Sequence, residues 1–224
     1  MRDEGMTPES DRDRALVEEL VADARPVRRL WSPEVRLALW LVLAAAALAV
    51  LAARVARDDL PLQLRSPSFL LEQALLLLGG GLLGLAAFRA AVPGRTLGTV
   101  TLVAGWTALA LGLGWMLRAP LHTAWTLDAF VELGRPCLWR ALAWGALPWI
   151  VLVVALRRGM PLDRRPVGVL AGVATWALVY PAVRMCCQTD ELLHLSVFHA
   201  APVLLAAVAS GLLGPVLLAR SRTP

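Results

Sequence analysis

The sequence contains no lysine and little charge of any kind, since only 17% of its 224 residues are Asp, Glu, Lys or Arg. Soluble domains carry about a quarter charged residues, so an ordinary soluble domain is excluded. Three cysteines are too few for a fold held by a disulfide framework. The sequence contains no His-Glu-x-x-His, Gly-x-Ser-x-Gly or phosphate-loop motif, so no enzyme is indicated. The use of arginine alone is attributed to genome base composition.

Apolar residues dominate instead, at 58% of the chain. They form six long runs, each near the roughly 20 residues that a helix needs to cross a bilayer core. The runs are approximately Val35–Ala53, Phe69–Phe88, Thr96–Leu117, Cys137–Leu156, Pro166–Val183 and Leu192–Ala219. We therefore predict an all-α fold, a bundle of six transmembrane helices over residues 35–219, with a short cytoplasmic amphipathic helix within residues 1–34 and a cytoplasmic tail at 220–224.

The distribution of arginine predicts the orientation. Six spans place both termini on one side, and 15 of the 22 arginines then lie on that side and seven on the other. The positive-inside rule therefore puts both termini in the cytoplasm. Because the arginines lie in short loops and not on one face, the net charge of +5 does not indicate direct nucleic-acid binding. Membrane lipid is the expected surrounding.

The first 30 residues lack the apolar core of a signal peptide and are rich in charge of both signs. Ser10 is the predicted N-cap of a helix that runs to about Ala24 and is ended by Pro26. An apolar stripe at helical spacing is formed by Leu16, Val17, Leu20 and Val21. A docking face for a groove of a partner protein and a disordered tail both remain open interpretations.

Thiols and imidazoles are concentrated at the opposite, periplasmic face. The residues concerned are Cys137, Cys186, Cys187, Asp190, Glu191, His194 and His199. Such side chains bind zinc or another thiophilic metal, with His194, His199 and Asp190 as candidate ligands, and two thiols can also form a disulfide in the oxidising periplasm. Two observations argue against a metal site. The histidines are five residues apart and so do not lie on one α-helical face, and adjacent cysteines rarely bind the same metal ion. Simple packing of buried cysteines is the remaining interpretation.

Two segments together resemble a known family. The first is LVEELVADARPVRRLWSPEVRLALW before and into the first span, and the second is CCQTDELLHLSVFHAAPVLLAAVASGLLGPVLLAR around the last. With six spans between them, they resemble the NrsF family of bacterial membrane anti-sigma factors. The resemblance implies a protein that is not an enzyme and that represses transcription. It would hold an extracytoplasmic-function sigma factor at the inner membrane until an envelope, oxidative or metal stress signal arrives.

The resemblance also implies roles for residues on both sides of the membrane. The apolar stripe would anchor the sigma factor, with Arg28 and Arg29 at the rim of the contact. Signal sensing would be the role of Cys137 and a second cysteine. Because Cys186 and Cys187 are adjacent, either of them could correspond to the second cysteine of the family. The alternatives are a small transporter or channel, which would need Glu72 and Arg140 to line a pathway, and a membrane scaffold protein.

Overall fold

The computed structural model describes residues 8–22, 30–95, 98–121 and 126–219. Within these ranges the regular elements are helices and there is no strand, which confirms the all-α prediction. The chain divides into two compact units, Met1–Leu30 and Trp31–Pro224.

The first unit contains helix α1, Pro8–Ala22. The prediction that Ser10 caps this helix is wrong, because the helix already begins at Pro8. Proline suits a first helical position, where its fixed φ is helical and its missing N–H is not needed. The side chains from Arg12 to Ala22 are all exposed, so this unit itself covers neither face of the helix.

The second unit contains eight further α-helices among the described residues. They are α2 Pro33–Ala53, α3 Leu60–Gln63, α4 Pro67–Ala90, α5 Thr99–Trp115, α6 Leu127–Arg157, α7 Arg164–Arg184, α8 Leu192–Leu195 and α9 Ala201–Leu217. A 3-10 turn, Met116–Arg118, extends α5, and a π-helical turn, Ser196–Ala200, joins α8 to α9. Six helical segments in the described part of the chain are long and apolar enough to cross a membrane, which is the predicted number.

Hydroxyl side chains fix where three of the long helices begin. The side-chain oxygens of Ser32, Ser66 and Thr126 accept hydrogen bonds from backbone N–H groups three residues ahead, at 3.3, 3.4 and 3.3 Å. Each bond satisfies one of the N–H groups that a helix start leaves without an intrahelical partner. In α2 and α4 a proline follows the cap directly, in the position it favours.

The predicted start of the fourth long helix, at Cys137, is wrong by ten residues. Helix α6 begins at Leu127, and its 31 residues span about 46 Å, more than a bilayer core. Asp128, Glu132 and Arg135 conceal its start from a search for uncharged runs, although charged residues are compatible with helix where the chain is solvated. Cys137 therefore lies inside a helix, three turns from its N-terminus.

Helix α7 forms the centre of the second unit. It packs against α2, α4, α6 and α9, and its side chains are buried along almost its whole length, from Val167 to Arg184. Small residues permit the closest approaches: a Cβ on Gly168 would overlap the backbone of Ser210, and one on Gly172 the carbonyl of Ala206. Small residues at these positions therefore allow the helix backbones to approach closely.

The outward faces of the long helices are apolar. Leu43 on α2, Ile150 on α6, and Leu205 and Leu212 on α9 are each more than half exposed. A contiguous apolar exterior of this kind is unfavourable in water and favourable in hydrocarbon. The apolar exterior therefore points to the same surrounding, a membrane, as the length and composition of the six helices.

Candidate functional site

Four buried side chains meet at one end of the second unit. We call Cys137, Cys187, His194 and His199 the thiol–imidazole cluster. Their ligand atoms, two sulfurs and one nitrogen from each ring, all lie within 4.8 Å of one another. The cluster joins α6, the segment after α7, α8 and the π-helical turn, so it connects two of the six long helical segments with the loop between α7 and α8.

The two adjacent cysteines have different surroundings. The Sγ of Cys187 lies 3.2 Å from Nε2 of His194 and 3.4 Å from the carbonyl oxygen of Thr189. The thiol of Cys186 instead donates to the carbonyl of Ala182, at 3.2 Å. The structure therefore places Cys187 with Cys137, and it places Cys186 outside the cluster.

The two thiols outside the helical spans also differ in acidity. Contact with the Cys137 thiol, followed by the two histidine rings, lowers the pKa of Cys187 below its ordinary value despite burial. Burial raises the pKa of Cys186. Because the thiolate is both the nucleophile and the metal ligand, Cys187 is chemically the more competent of the two.

A π-helical turn brings the two histidines together. The backbone N–H of Ala201 donates to the carbonyl of Ser196, five residues back, and the next residue, Pro202, has no N–H to continue an α-helical pattern. The wider turn aligns residues five apart, and the rings of His194 and His199 lie 5.5 Å apart. The inference that these histidines lie off one helical face is therefore wrong, because it assumed a regular α-helix.

His199 has an unusual environment. Its ring is buried and, among the described residues, neither Nδ1 nor Nε2 has a hydrogen-bond partner. Its neighbours are the rings of Tyr180, at 5.6 Å, and His194, together with the sulfur of Cys187, which lies within 4.8 Å of a ring nitrogen but makes no hydrogen bond to it. A buried imidazole without partners is costly, so the position calls for an explanation beyond packing.

A network of charges lies beside the cluster; we call Arg57, Asp59, Glu72, Arg184 and Asp190 the arginine–carboxylate network. Arg57 donates to both carboxylate oxygens of Asp190, at 3.0 and 2.8 Å, and also binds Asp59. Arg184 binds Asp190 and Glu72, the latter at 3.4 Å. The guanidinium side chains of Arg57 and Arg184 are only 2% and 6% exposed.

Asp190 connects this network to the cluster, because it lies three residues after Cys187 and four before His194 in the chain. Burial opposes its ionisation, but the guanidinium groups of Arg57 and Arg184 outweigh burial and lower the pKa of Asp190. The backbone N–H of Arg57 also donates to the carbonyl of Met185, at 2.9 Å. The network thus fixes the segment that carries Cys187.

Glu72 and Arg140, the two residues that the transporter interpretation would place along a pathway, have different partners. The carboxylate of Glu72 accepts a hydrogen bond from the Tyr180 hydroxyl, at 2.7 Å, and is paired with Arg184. Arg140 lies within 3.5 Å of the carbonyl of Cys186. The side chain of Glu72 is 7% exposed, so it is a buried member of the arginine–carboxylate network.

Sequence reasoning missed Arg57, Asp59, Arg184 and Tyr180 as members of the site. A signal was available, since Arg57 and Arg184 end apolar runs on the face predicted to hold Asp190. What the sequence could not supply was the pairing of residues more than 100 positions apart. The carboxylate of Asp190, proposed as a metal ligand, is bound by Arg57 and Arg184.

The apolar stripe of α1 is fully displayed. Leu16, Val17, Leu20 and Val21 are 55, 57, 63 and 67% exposed. Arg28 and Arg29 lie outside the described residues.

Residues 20–219 match the family model NrsF, described as negative regulator of sigma F. The chain belongs to the NrsF family. The resemblance stated from the sequence is confirmed. No curated protein and no solved structure matches the chain. As a member of the NrsF family, the protein is a negative regulator with a sigma factor as partner, and such a regulator is not a class of enzyme.

The NrsF match covers the thiol–imidazole cluster completely and the apolar stripe of α1 only in part. It contains all four residues of the thiol–imidazole cluster and the whole arginine–carboxylate network. In α1 it includes Leu20 and Val21 but begins after Leu16 and Val17.

Proposed function

We propose that this NrsF-family protein is an anti-sigma factor of the bacterial inner membrane. It sequesters an extracytoplasmic-function sigma factor on the cytoplasmic side and releases it on an envelope, oxidative or metal stress signal. The observation that carries the proposal is the exposed apolar stripe of α1 in a chain that belongs to a family of sigma-factor regulators. An uncovered stripe on a short helix is a typical means of binding a groove on another protein.

The orientation follows from the arginine distribution. With 15 arginines on the side of the termini, α1 lies in the cytoplasm, where the sigma factor is made. The thiol–imidazole cluster then lies at the periplasmic end of the bundle. In this topology the sigma factor is bound on the cytoplasmic side and the signal is received on the periplasmic side.

The docking face is tested by Leu20→Asp in the full-length protein. A carboxylate in the centre of an apolar contact should weaken sigma-factor binding by roughly 2 kcal/mol or more, about 30-fold. We expect constitutive expression from a sigma-dependent promoter and loss of the sigma factor from the solubilised, purified variant. Reporter activity and co-purification measure the two effects.

The matched control is Ala15→Asp, which puts the same carboxylate on the opposite face of α1. It should retain the sigma factor and keep the reporter silent. If Leu20→Asp and Ala15→Asp retained the sigma factor equally, at equal abundance in the membrane, the apolar stripe would not be the docking face.

The signal-receiving role of the cysteines is tested in the same reporter strain. Cys137→Ser and Cys187→Ser should abolish induction by oxidants or thiophilic metals, because each removes a sulfur from the cluster. Cys186→Ser should respond as the wild type does, since its sulfur faces Ala182 and Ala52. Normal induction in Cys137→Ser and Cys187→Ser would assign the cysteines to packing alone.

A further inference from the structure

We propose that the thiol–imidazole cluster binds one zinc ion, with Cys137, Cys187, His194 and His199 as its four ligands. The proposal names the ligand of the site that receives the signal. Any role of the ion in signalling rests on the proposed function, whereas the binding of the ion does not.

The donor set is the first argument. Two cysteines and two histidines make one of the common ligand sets of structural zinc sites, which are four-coordinate and closed to solvent. All four side chains are buried, as a closed site requires. Two thiolates and two neutral imidazoles around Zn²⁺ carry no net charge, which suits a site removed from water. A monovalent soft cation such as Cu⁺ would leave a buried negative charge.

The geometry is the second argument. Tetrahedral zinc, with bonds of about 2.3 Å to sulfur and 2.0–2.1 Å to nitrogen, places its ligand atoms roughly 3.3–3.8 Å apart. In the structure all four ligand atoms lie within 4.8 Å of one another, and Cys187 Sγ and His194 Nε2 are 3.2 Å apart. Side-chain shifts of about an ångström would bring the set to coordination distance. Donors from separate parts of the chain thus already converge on one point.

His199 supplies an independent argument. Both nitrogens of its buried ring have no hydrogen-bond partner among the described residues. A buried polar group without a partner destabilises the fold, so it persists where it serves a ligand or a reaction. Coordination of an ion by one ring nitrogen would satisfy this histidine.

The neighbouring polar groups are already engaged elsewhere, which limits the set to four. Asp190 is held by Arg57 and Arg184, and the thiol of Cys186 donates to Ala182. Neither one is needed to complete a tetrahedral shell. The arginine–carboxylate network instead holds the segment that carries Cys187 in place.

The experiment uses the full-length protein, purified in detergent, stripped with a chelator and then titrated with zinc. We expect about one tightly bound zinc per chain, measured by elemental analysis, and a higher melting temperature of the loaded protein. Cys137→Ser and His199→Ala should bind less than about a tenth of that amount after dialysis. Cys186→Ser is the matched control and should bind as the wild type does.

Cobalt supplies a readout that does not depend on the folding of any variant. Co²⁺ in the wild-type site should give the visible bands of tetrahedral coordination and the near-ultraviolet band of cobalt–thiolate bonds. Absence of these bands, or a zinc content unchanged by His199→Ala, would overturn the proposal.

The outcomes separate this inference from the proposed function. Zinc binding in a protein that retains no sigma factor would uphold the inference and reject the proposed function. A sigma factor retained by a protein that binds neither zinc nor cobalt would do the reverse.

Discussion

Glu72→Ala should destabilise the helical bundle by about 2–3 kcal/mol, because it leaves the buried Tyr180 hydroxyl without its acceptor and leaves the buried Arg184 guanidinium with one carboxylate, Asp190, in place of two. Tyr180 and Arg184 both bind one oxygen of Glu72, and the side chains of Glu72 and Arg184 are 7% and 6% exposed. Removing one member of a buried ion pair costs much more than replacing the whole pair with apolar groups. We expect a lower melting temperature in detergent and less protein in the membrane.

Two controls isolate the buried pair. Glu132→Ala removes the same side chain from an exposed position of α6 and should change stability by less than about 0.5 kcal/mol. Glu72→Gln keeps an acceptor for the Tyr180 hydroxyl and should fall between the two. If Glu72→Ala and Glu132→Ala had the same melting temperature, the ion pair would contribute nothing to the stability of the fold. A role for Glu72 in transport would then be the next one to test.

Gly168→Leu should be the most disruptive change in the packing of α7. The three atoms nearest to a Cβ at this position are backbone atoms of Ser210 and Gly214 on α9, which cannot turn aside as a flexible side chain could. Overpacking typically costs 1–3 kcal/mol. Because the leucine side chain would meet rigid backbone atoms, we expect a loss of about 3 kcal/mol or more in the free energy of unfolding. A thermal melt of the solubilised protein measures the loss.

Gly81→Leu serves as the comparison for Gly168→Leu. It also lies inside a long helix, but a Cβ there meets nothing within 4 Å. This variant should be neutral or slightly more stable, because leucine is the better helix former. Equal melting temperatures for the two variants would contradict the close contact of α7 with α9.

The number of long helices could be predicted from the sequence because hydropathy over about 20 residues is a strong and local signal. Five of the six apolar runs begin within three residues of the observed helices. The exception, α6, shows the limit of the method: its first ten residues carry charge, so a search for uncharged segments starts at Cys137. The side chain of Ser10 likewise suggested a cap where the backbone of Pro8 already begins the helix.

The candidate site was only partly predictable, because its geometry depends on non-local contacts. The convergence of Cys137, Cys187, His194 and His199 on one face followed from counting spans. Which of the two adjacent cysteines joins the cluster did not, since that depends on how the chain turns after α7. The partners of Glu72 and Asp190 lie in distant segments, and opposite charges at several helix ends allow more than one pairing.

The π-helical turn has a consequence for the phase of the last helical segment. In a continuous α-helix, five residues advance by about 140° beyond a full turn, so His194 would point well away from the direction of His199. The face that follows His199, with Ala206, Ser210 and Gly214, lies against α7. His194 would then be directed toward the outside of the bundle. One additional residue in one turn lets a single helical segment seat its small residues on α7 and direct both imidazoles toward Cys187.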